Sequence, residues 1–556
     1  MTATAPLPTT RAPREQIFPT LTPAQVARIA ARGRTRPMRL GETLFEPGAD
    51  ALPFFVVTAG KIEIARPSRA GDVLVTTHGP GEFTGELSML SGRRPLVRAR
   101  ATEAGEVIEL ERERLLTLIQ TDSELGDIIM RAFIFRRLSL IDNAVSNVAL
   151  VGSRHSPGTL RVKEFLTRNG HPYSYIDLDS DAGVQELLDS VRVAVTDVPV
   201  VICGENVLRN PTNAEIADCL GFNVAIDRTQ LRDVVVVGAG PAGLAAAVYA
   251  ASEGLDALVI ESNAPGGQAG TSSKIENYLG FPTGISGQNL AARAYDQAQK
   301  FGAQVMIAKL ATGLGCERRP YAITLDDGQR VTARTVIIAT GAEYRRLPIE
   351  NLQRFEGTGV YYGATAIESQ ICRGDEVVVV GGGNSAGQAA VFLSQTAKRV
   401  HMLVRGDGLA ATMSRYLIRR IEDSETIEVR TGTEIVKLDG TDHLEQTTWR
   451  DNATGGTEVR DIRHVFVMTG AVPSTDWLQG CLALDAKGFI KTGPGLSPED
   501  LAAAHWPLRR PPHLLETSLP GVFAVGDVRG DNIKRVASAV GEGSIAIAFV
   551  HQALHE

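Results

Sequence analysis

The chain has 556 residues, enough for roughly three to five domains with sizeable cores. Its 43% hydrophobic, 22% charged and 5% aromatic content is that of a folded globular protein, and its net charge of −7 gives no general attraction to nucleic acid or to an acidic membrane. No run of about eighteen apolar residues occurs and residues 1–19 carry no hydrophobic signal core, so neither a membrane span nor a leader is expected and the cytoplasm is the expected compartment. The five cysteines, Cys203, Cys219, Cys316, Cys372 and Cys481, are far apart and form no C-x-x-C. That spacing excludes a zinc knuckle and a redox dithiol of that type, so no metal site is expected and all five are expected to be buried or idle thiols.

Residues 1–15, rich in Pro, Thr and Arg, predict a disordered arm. Spaced apolar residues from Leu21 to Gly33 predict a helix, and short alternating runs such as Phe54–Val57 and Lys61–Ile64, parted by Gly and Pro, predict the strands of a small β-roll. The stretch Gly81-Glu82-Phe83-Thr84-Gly85-Glu86-Leu87-Ser88-Met89-Leu90 resembles the phosphate-binding cassette of cyclic nucleotide-binding domains. The resemblance spans residues 16–145 and includes a last helix, Ile128–Ile141, which in that family packs on a partner subunit. It implies that Gly85 and Glu86 hold a cyclic nucleotide by its phosphate and ribose. The arginine that neutralises the phosphate in that family is replaced here by Pro95-Leu96, with Arg93, Arg94 and Arg98 out of register. Losing one charge-assisted hydrogen bond costs roughly 1.5–3 kcal/mol. A degenerate, structural or dimerising domain is therefore the expectation, with cyclic-nucleotide binding as the alternative. No DNA-binding helices follow.

Over residues 148–225, Val148–Val151, Thr159–Asn169, Tyr173–Ile176 and Asp197–Val201 read as strand, helix, strand and strand. This order, with Val198-Pro199 before the third strand, Lys163, and Asp177-Leu178-Asp179, resembles a glutaredoxin or thioredoxin fold. The family's C-P-x-C falls on Ser156-Pro157-Gly158-Thr159. A hydroxyl does not replace a thiolate in disulfide exchange, so a redox-dead docking module is expected.

The remainder carries two strand–glycine units. Four valines, Val234–Val237, are the run of a parallel strand covered on both faces, and Gly238-Ala239-Gly240-Pro241-Ala242-Gly243 follows at once. Glu261 closes the next apolar run, where a ribose hydroxyl needs an acceptor. Gly267-Gln268, Asn277 and Ala339-Thr340-Gly341 come next; Val377–Val380 then leads into Gly381-Gly382-Gly383-Asn384-Ser385, and Gly526-Asp527 and Arg535-Val536-Ala537 stand near the end. Two such units closed by a Gly-Asp point to a flavin and a nicotinamide nucleotide held face to face.

This series resembles low-molecular-weight thioredoxin reductase over roughly 320 residues. The fold class expected for the whole chain is multidomain α/β: a β-roll cyclic nucleotide-binding domain (16–145), a thioredoxin-like α/β domain (148–225) and two Rossmann-like, ββα-type nucleotide-binding domains. The FAD domain is expected over 230–347 and 476–556, and the NAD(P) domain over 348–475. The resemblance implies that Gly238, Gly240, Pro241, Ala242, Gly243 and Glu261 hold the adenosine diphosphate end of FAD. Gly267, Gln268, Asn277, Ala339, Thr340 and Gly341 would lie along the flavin, Gly526 and Asp527 at the ribityl chain, and Arg535, Val536 and Ala537 at the ring edge. Gly381, Gly383, Asn384 and Ser385 would bind NADPH or NADH. Arg405, standing where an NAD enzyme usually carries an acid, favours NADPH.

One departure decides the expected chemistry. The family's C-A-T-C-D is Gly363-Ala364-Thr365-Ala366-Ile367 here, so the dithiol relay is absent and no catalytic side chain is assigned. The expected function is an FAD-dependent NAD(P)H oxidoreductase with an unidentified small-molecule or protein acceptor, possible regulation by the N-terminal domain, and a homodimeric state. Electron transfer of the ferredoxin-NADP reductase kind, or a nucleotide-binding sensor with little turnover, are the rivals.

Overall fold

The computed structural model describes residues 13–49, 52–66, 72–142, 148–154, 156–178, 197–204, 206–272, 274–478 and 480–556. Most of the expected arm (1–12) and Asp179 lie outside them. Arg14–Ile17 is a short helix rather than arm, because Arg136 donates to the Ile17 carbonyl at 2.9 Å and pins it to the β-roll.

The N-terminal domain is an antiparallel sheet in the order Arg34–Met38, Arg98–Leu110, Phe54–Arg66, Val73–His78, with Thr43–Phe45 on the edge of Arg98–Leu110. The two short strands expected at Phe54–Val57 and Lys61–Ile64 are one strand, Phe54–Arg66. Gly60, at φ +82°, sits among register shifts inside it, so its turn signal is absorbed as a bulge. Helix Pro23–Ala30 starts on a capping box of Thr22 and Gln25, and helix Ser123–Asp142 closes the domain.

The second module has the sheet order Ser174–Asp177, Val148–Gly152, Val200–Cys203, Asn206–Arg209, the first pair parallel and the others antiparallel. Helix Pro157–Arg168 makes the crossover, and the Val198-Pro199 bond is cis.

In the third domain, strands Gln304–Ile307, Ala257–Glu261, Arg232–Val237, Arg330–Ile338 and Val522–Ala524 run parallel in that order. Val234 and Val236 pack into one apolar cluster, Val235 and Val237 into another, which is why the valine run is continuous. The first cluster also holds Phe165, Ile216 and Phe222, so the second module and this domain share one core. The fourth domain has five parallel strands, Val360–Tyr361, His464–Val467, Glu376–Val380, Arg399–Val404 and Ile427–Thr431. The segment 496–512 contains helix Pro498–Ala503 and is fastened by Arg510, which pairs with buried Glu516 and with Glu556. Among the described residues no helix is long and apolar enough to cross a membrane.

Candidate functional site

The expected nucleotide-binding segments of the third domain meet at the C-terminal ends of its parallel strands, where such sheets bind ligands. Gly238 has φ +105°, and a Cβ there would lie 2.4 Å from the Ala339 carbonyl oxygen. A Cβ on Gly243 would lie 1.9 Å from the Gly238 oxygen, so this glycine lets helix and strand pack closely. Gly240 is different. Its backbone has φ −71° and ψ −177°, and a Cβ would meet nothing nearer than the Gly267 Cα at 3.9 Å. Pro241 opens helix Pro241–Ser252 and no side chain caps it, leaving the Ala242 and Gly243 amides and the positive dipole end open to an anion.

The other segments close around this loop. Gly267 (φ +53°) packs against Gly240, where its Cβ would lie 3.1 Å from the Gly240 Cα. Gly526 would place a Cβ 3.0 Å from that of Ala242, so the Gly526-Asp527 turn rests on the same first helical turn. The Ala339 amide donates to Val237 at 2.8 Å, the Thr340 hydroxyl donates to Ser474 at 2.9 Å, and Gly341 turns at φ +70°. Arg535 is the N-cap of helix Val536–Leu554, so Val536 and Ala537 form its first turn. The Gln268 amide donates to the Ala342 carbonyl, while Asn277 is exposed and has no hydrogen-bond partner among the described residues. Glu261 is buried; its oxygens accept from the amides of Ala239 at 2.8 Å and Asn263 at 2.9 Å, and burial pushes its carboxyl up. Burial raises the Asp527 carboxyl as well. Glu542, which has no local sequence signal, holds the turn by accepting from the Gly526 amide at 2.7 Å.

The fourth domain repeats the device. A Cβ on Gly381 (φ +142°) would lie 2.4 Å from the Met468 oxygen, whereas one on Gly383, the N-cap of uncapped helix Asn384–Leu393, would meet only the Thr412 oxygen at 4.0 Å. Asn384 accepts from the Ser414 amide at 2.8 Å. Ser385 hydrogen-bonds Tyr344, which also feels the charge of Asp527, so the two loops approach each other. Arg405 is exposed just beyond strand Arg399–Val404 and has no ion-pair partner among the described residues.

In both loops a side chain is excluded at the tight turn and room is left at the outward position, the shape that a dinucleotide pyrophosphate requires. The family model for pyridine nucleotide-disulphide oxidoreductases matches residues 232–543, more than half of the chain. The chain belongs to that family.

The family is an FAD-dependent enzyme class, and its thioredoxin reductases use NADPH. The thioredoxin reductase of Mycoplasmopsis pulmonis is 31% identical over 323 residues, covering 58% of this chain and 97% of the relative. That of Treponema pallidum is 36% identical over 314 residues, covering 56% and 94%. The solved thioredoxin reductase of Lactococcus lactis has 27% identity and a TM-score of 0.52, covering 58% of this chain and 99% of that one. A second family model, for the cyclic nucleotide-binding domain, matches residues 35–122.

In this oxidoreductase Gly363 stands beside the loop that carries Gly267 and Gln268, where its Cβ would lie 3.8 Å from that of Thr271. Cys372 is fully buried, and burial pushes its thiol up to about 11. The second module faces the same region: a Cβ on Gly357 would lie 3.1 Å from that of Pro157, and Glu368 feels the charge of Glu164.

Of the five cysteines expected to be buried or idle thiols, Cys203 and Cys372 are buried, but the expectation fails for Cys316 and Cys481. Cys316 and Cys481, 165 residues apart, form a disulfide, because the fold brings the ends of two distant loops together. The Cys203 thiol hydrogen-bonds that of Cys219; this bond, with Asn206 and the charge of Arg94, lowers the Cys219 thiol, while the same bond and burial raise that of Cys203. Neither pairing has a spacing signal.

In the β-roll, Gly85 (φ +105°) is crowded, with a Cβ position 2.1 Å from the Met89 sulfur and 2.9 Å from the Phe133 ring. Arg136 donates to the carbonyls of Phe83 at 3.0 Å and Gly85 at 2.9 Å. Glu86 is buried and accepts from Arg137 at 3.4 Å. The three out-of-register arginines are engaged elsewhere: Arg93 on Asn169 and Tyr295, Arg94 against Gly221, and Arg98 on Glu46 and Asp72.

Proposed function

We propose that this oxidoreductase passes reducing equivalents from NAD(P)H through FAD to an acceptor that is reached without a C-x-x-C relay. The observation that carries the reading is the pair Gly363 and Ala366, standing where the thioredoxin reductases it resembles have cysteines. The buried, raised thiol of Cys372 supports it, since only a thiolate exchanges with disulfides. Bound FAD supplies the two-electron chemistry, and the chain binds and orients. In this reading the open amides after Gly240 take the FAD pyrophosphate, Glu261 its ribose and Asp527 its ribityl chain. Asn384 and Ser385 take the nicotinamide nucleotide, and Arg405 the 2′-phosphate of NADPH. No side chain is asked to move a proton.

The four-stranded sheet, the crossover helix and the Pro199 ring beside Gly158 support reading residues 148–225 as a glutaredoxin-like module whose C-P-x-C positions carry Ser156 and Thr159. It docks its vestigial site on the nicotinamide half of the chain. The occupied Gly85 and the ion-paired Glu86 support reading 16–145 as a structural rather than cyclic-nucleotide-binding β-roll. A homodimer is part of the reading.

Purified protein should carry flavin absorbance, and anaerobic NADPH should bleach it within seconds. Thioredoxin-dependent reduction of an aromatic disulfide should be absent. Bound flavin that NADPH and NADH both leave oxidised would sink the oxidoreductase reading, and robust thioredoxin turnover would sink the missing relay. Sedimentation at about 59 kDa, the mass of one chain, would remove the homodimer.

A further inference from the structure

A cavity of about 350 Å³, within the range of small-ligand sites, lies where three domains meet. One wall is the end of the cassette (Ser88, Ser91) and the face of helix Ser123–Asp142 that carries Leu138 and Ile141. The second wall is the turn 169–173 of the thioredoxin-like module, and the third is helix Gly287–Lys300 with Pro265, next to Gly266-Gly267. It is not the interior of the β-roll, because Gly85 faces away into Met89 and Phe133.

Two arginines in its lining, Arg93 and Arg137, are 8% exposed. Arg137 pairs with Glu86, but Arg93 has no carboxylate partner among the described residues and rests on the Asn169 carbonyl, the Tyr295 hydroxyl and the Phe222 ring. A buried unpaired cation is costly, and a bound anion removes that cost. The carboxyl facing them, on Asp296, is not within ion-pair distance, and burial pushes it up to about 7. The same wall holds two further unsatisfied atoms, Asn169 Oδ1 and His171 Nε2, on side chains of residues that are 6% exposed. Burial holds the His171 imidazole neutral, able to donate or accept.

We propose that this cavity is an effector site for an organic anion of about the size of a nucleoside monophosphate. Its anionic head lies on Arg93 and Arg137, its hydrogen-bonding edge on Asn169 and His171, and its apolar body on Leu138, Ile141 and Tyr173. Occupancy ties the β-roll to the flavin loop, since Arg168 in the same lining donates to the Gly267 carbonyl. Binding stands apart from the acceptor reading and is measured without turnover.

The test is calorimetric titration of the full-length protein with AMP, cyclic AMP and inorganic phosphate. One of the two nucleotides should bind at one per chain. Arg93→Met should weaken it about ten- to a hundredfold, the worth of one charge-assisted hydrogen bond. Ala292→Trp, at an exposed position of the helix lining the cavity, should abolish binding while leaving the fold intact. No heat from any of the three probes overturns the proposal. So does nucleotide binding that Ala292→Trp leaves unchanged, which would place the ligand inside the β-roll.

Discussion

The guanidinium of Arg168 donates to the carbonyl of Gly267 at 3.0 Å. Arg168 ends the crossover helix of the second module, and Gly267 lies against Gly240 in the expected FAD cradle. The module thus holds the loop of the expected FAD cradle although it has no C-x-x-C dithiol. Arg168→Met should lower FAD affinity about tenfold, from the loss of a charge-assisted bond, with Arg168→Lys restoring part of it. Flavin retained after gel filtration reads this out, and full retention in the Met variant removes the coupling.

Gly240 and Gly243 should behave oppositely. Gly243→Ala forces a Cβ to 1.9 Å from a backbone oxygen, so the domain should lose several kcal/mol and misfold. Gly240→Ala meets open space, so the apoprotein should melt within about 0.5 kcal/mol of wild type yet fail to hold FAD, because the Cβ occupies the ligand's approach. A Gly240→Ala protein with normal flavin content would move the pyrophosphate elsewhere.

Arg405 is an exposed cation with no partner to lose among the described residues. Arg405→Ala should therefore raise the KM for NADPH about tenfold and leave that for NADH unchanged. Stopped-flow flavin reduction with both coenzymes separates the cases. Equal effects on the two would mean that Arg405 does not face the 2′-phosphate.

Asp296 carries a pH dependence. Its folded carboxyl is raised to about 7, so the unfolded chain releases this proton first as pH rises. Its contribution is fully present below the ordinary aspartate range and is lost between about pH 4 and 7. Asp296→Asn should flatten that part of the stability profile and raise the melting temperature at pH 8, by up to about 4 kcal/mol of stability. A stability difference between variant and wild type that stays the same from pH 4 to pH 8 contradicts the assignment.

Cys219 should be the reactive thiol. Its neighbour Cys203 and the charge of Arg94 lower it, while burial raises Cys372 to about 11. Iodoacetamide at pH 7.5 should label Cys219 at least tenfold faster than Cys372, as peptide mass spectrometry would show. Equal labelling would mean that the thiol pair is not held together in solution.

Much of the chain was legible without coordinates. The valine runs, the glycine loops and Glu261 act within one strand–turn–helix unit, so local spacing alone implied both cradles, and the structure brings Gly238–Gly243, Gly267, Ala339–Gly341 and Gly526-Asp527 together. The absence of a dithiol at Gly363 and Ala366 needs no fold to be read. Tertiary structure alone decided what lies between the units. It joined Cys316 to Cys481, set Cys203 against Cys219, aimed Arg93 out of the β-roll into a cavity shared by three domains, and laid Arg168 on Gly267. Those contacts join residues tens to hundreds of positions apart, through side chains whose direction depends on how whole domains pack. Periodicity and propensity report only on a residue's near neighbours along the chain.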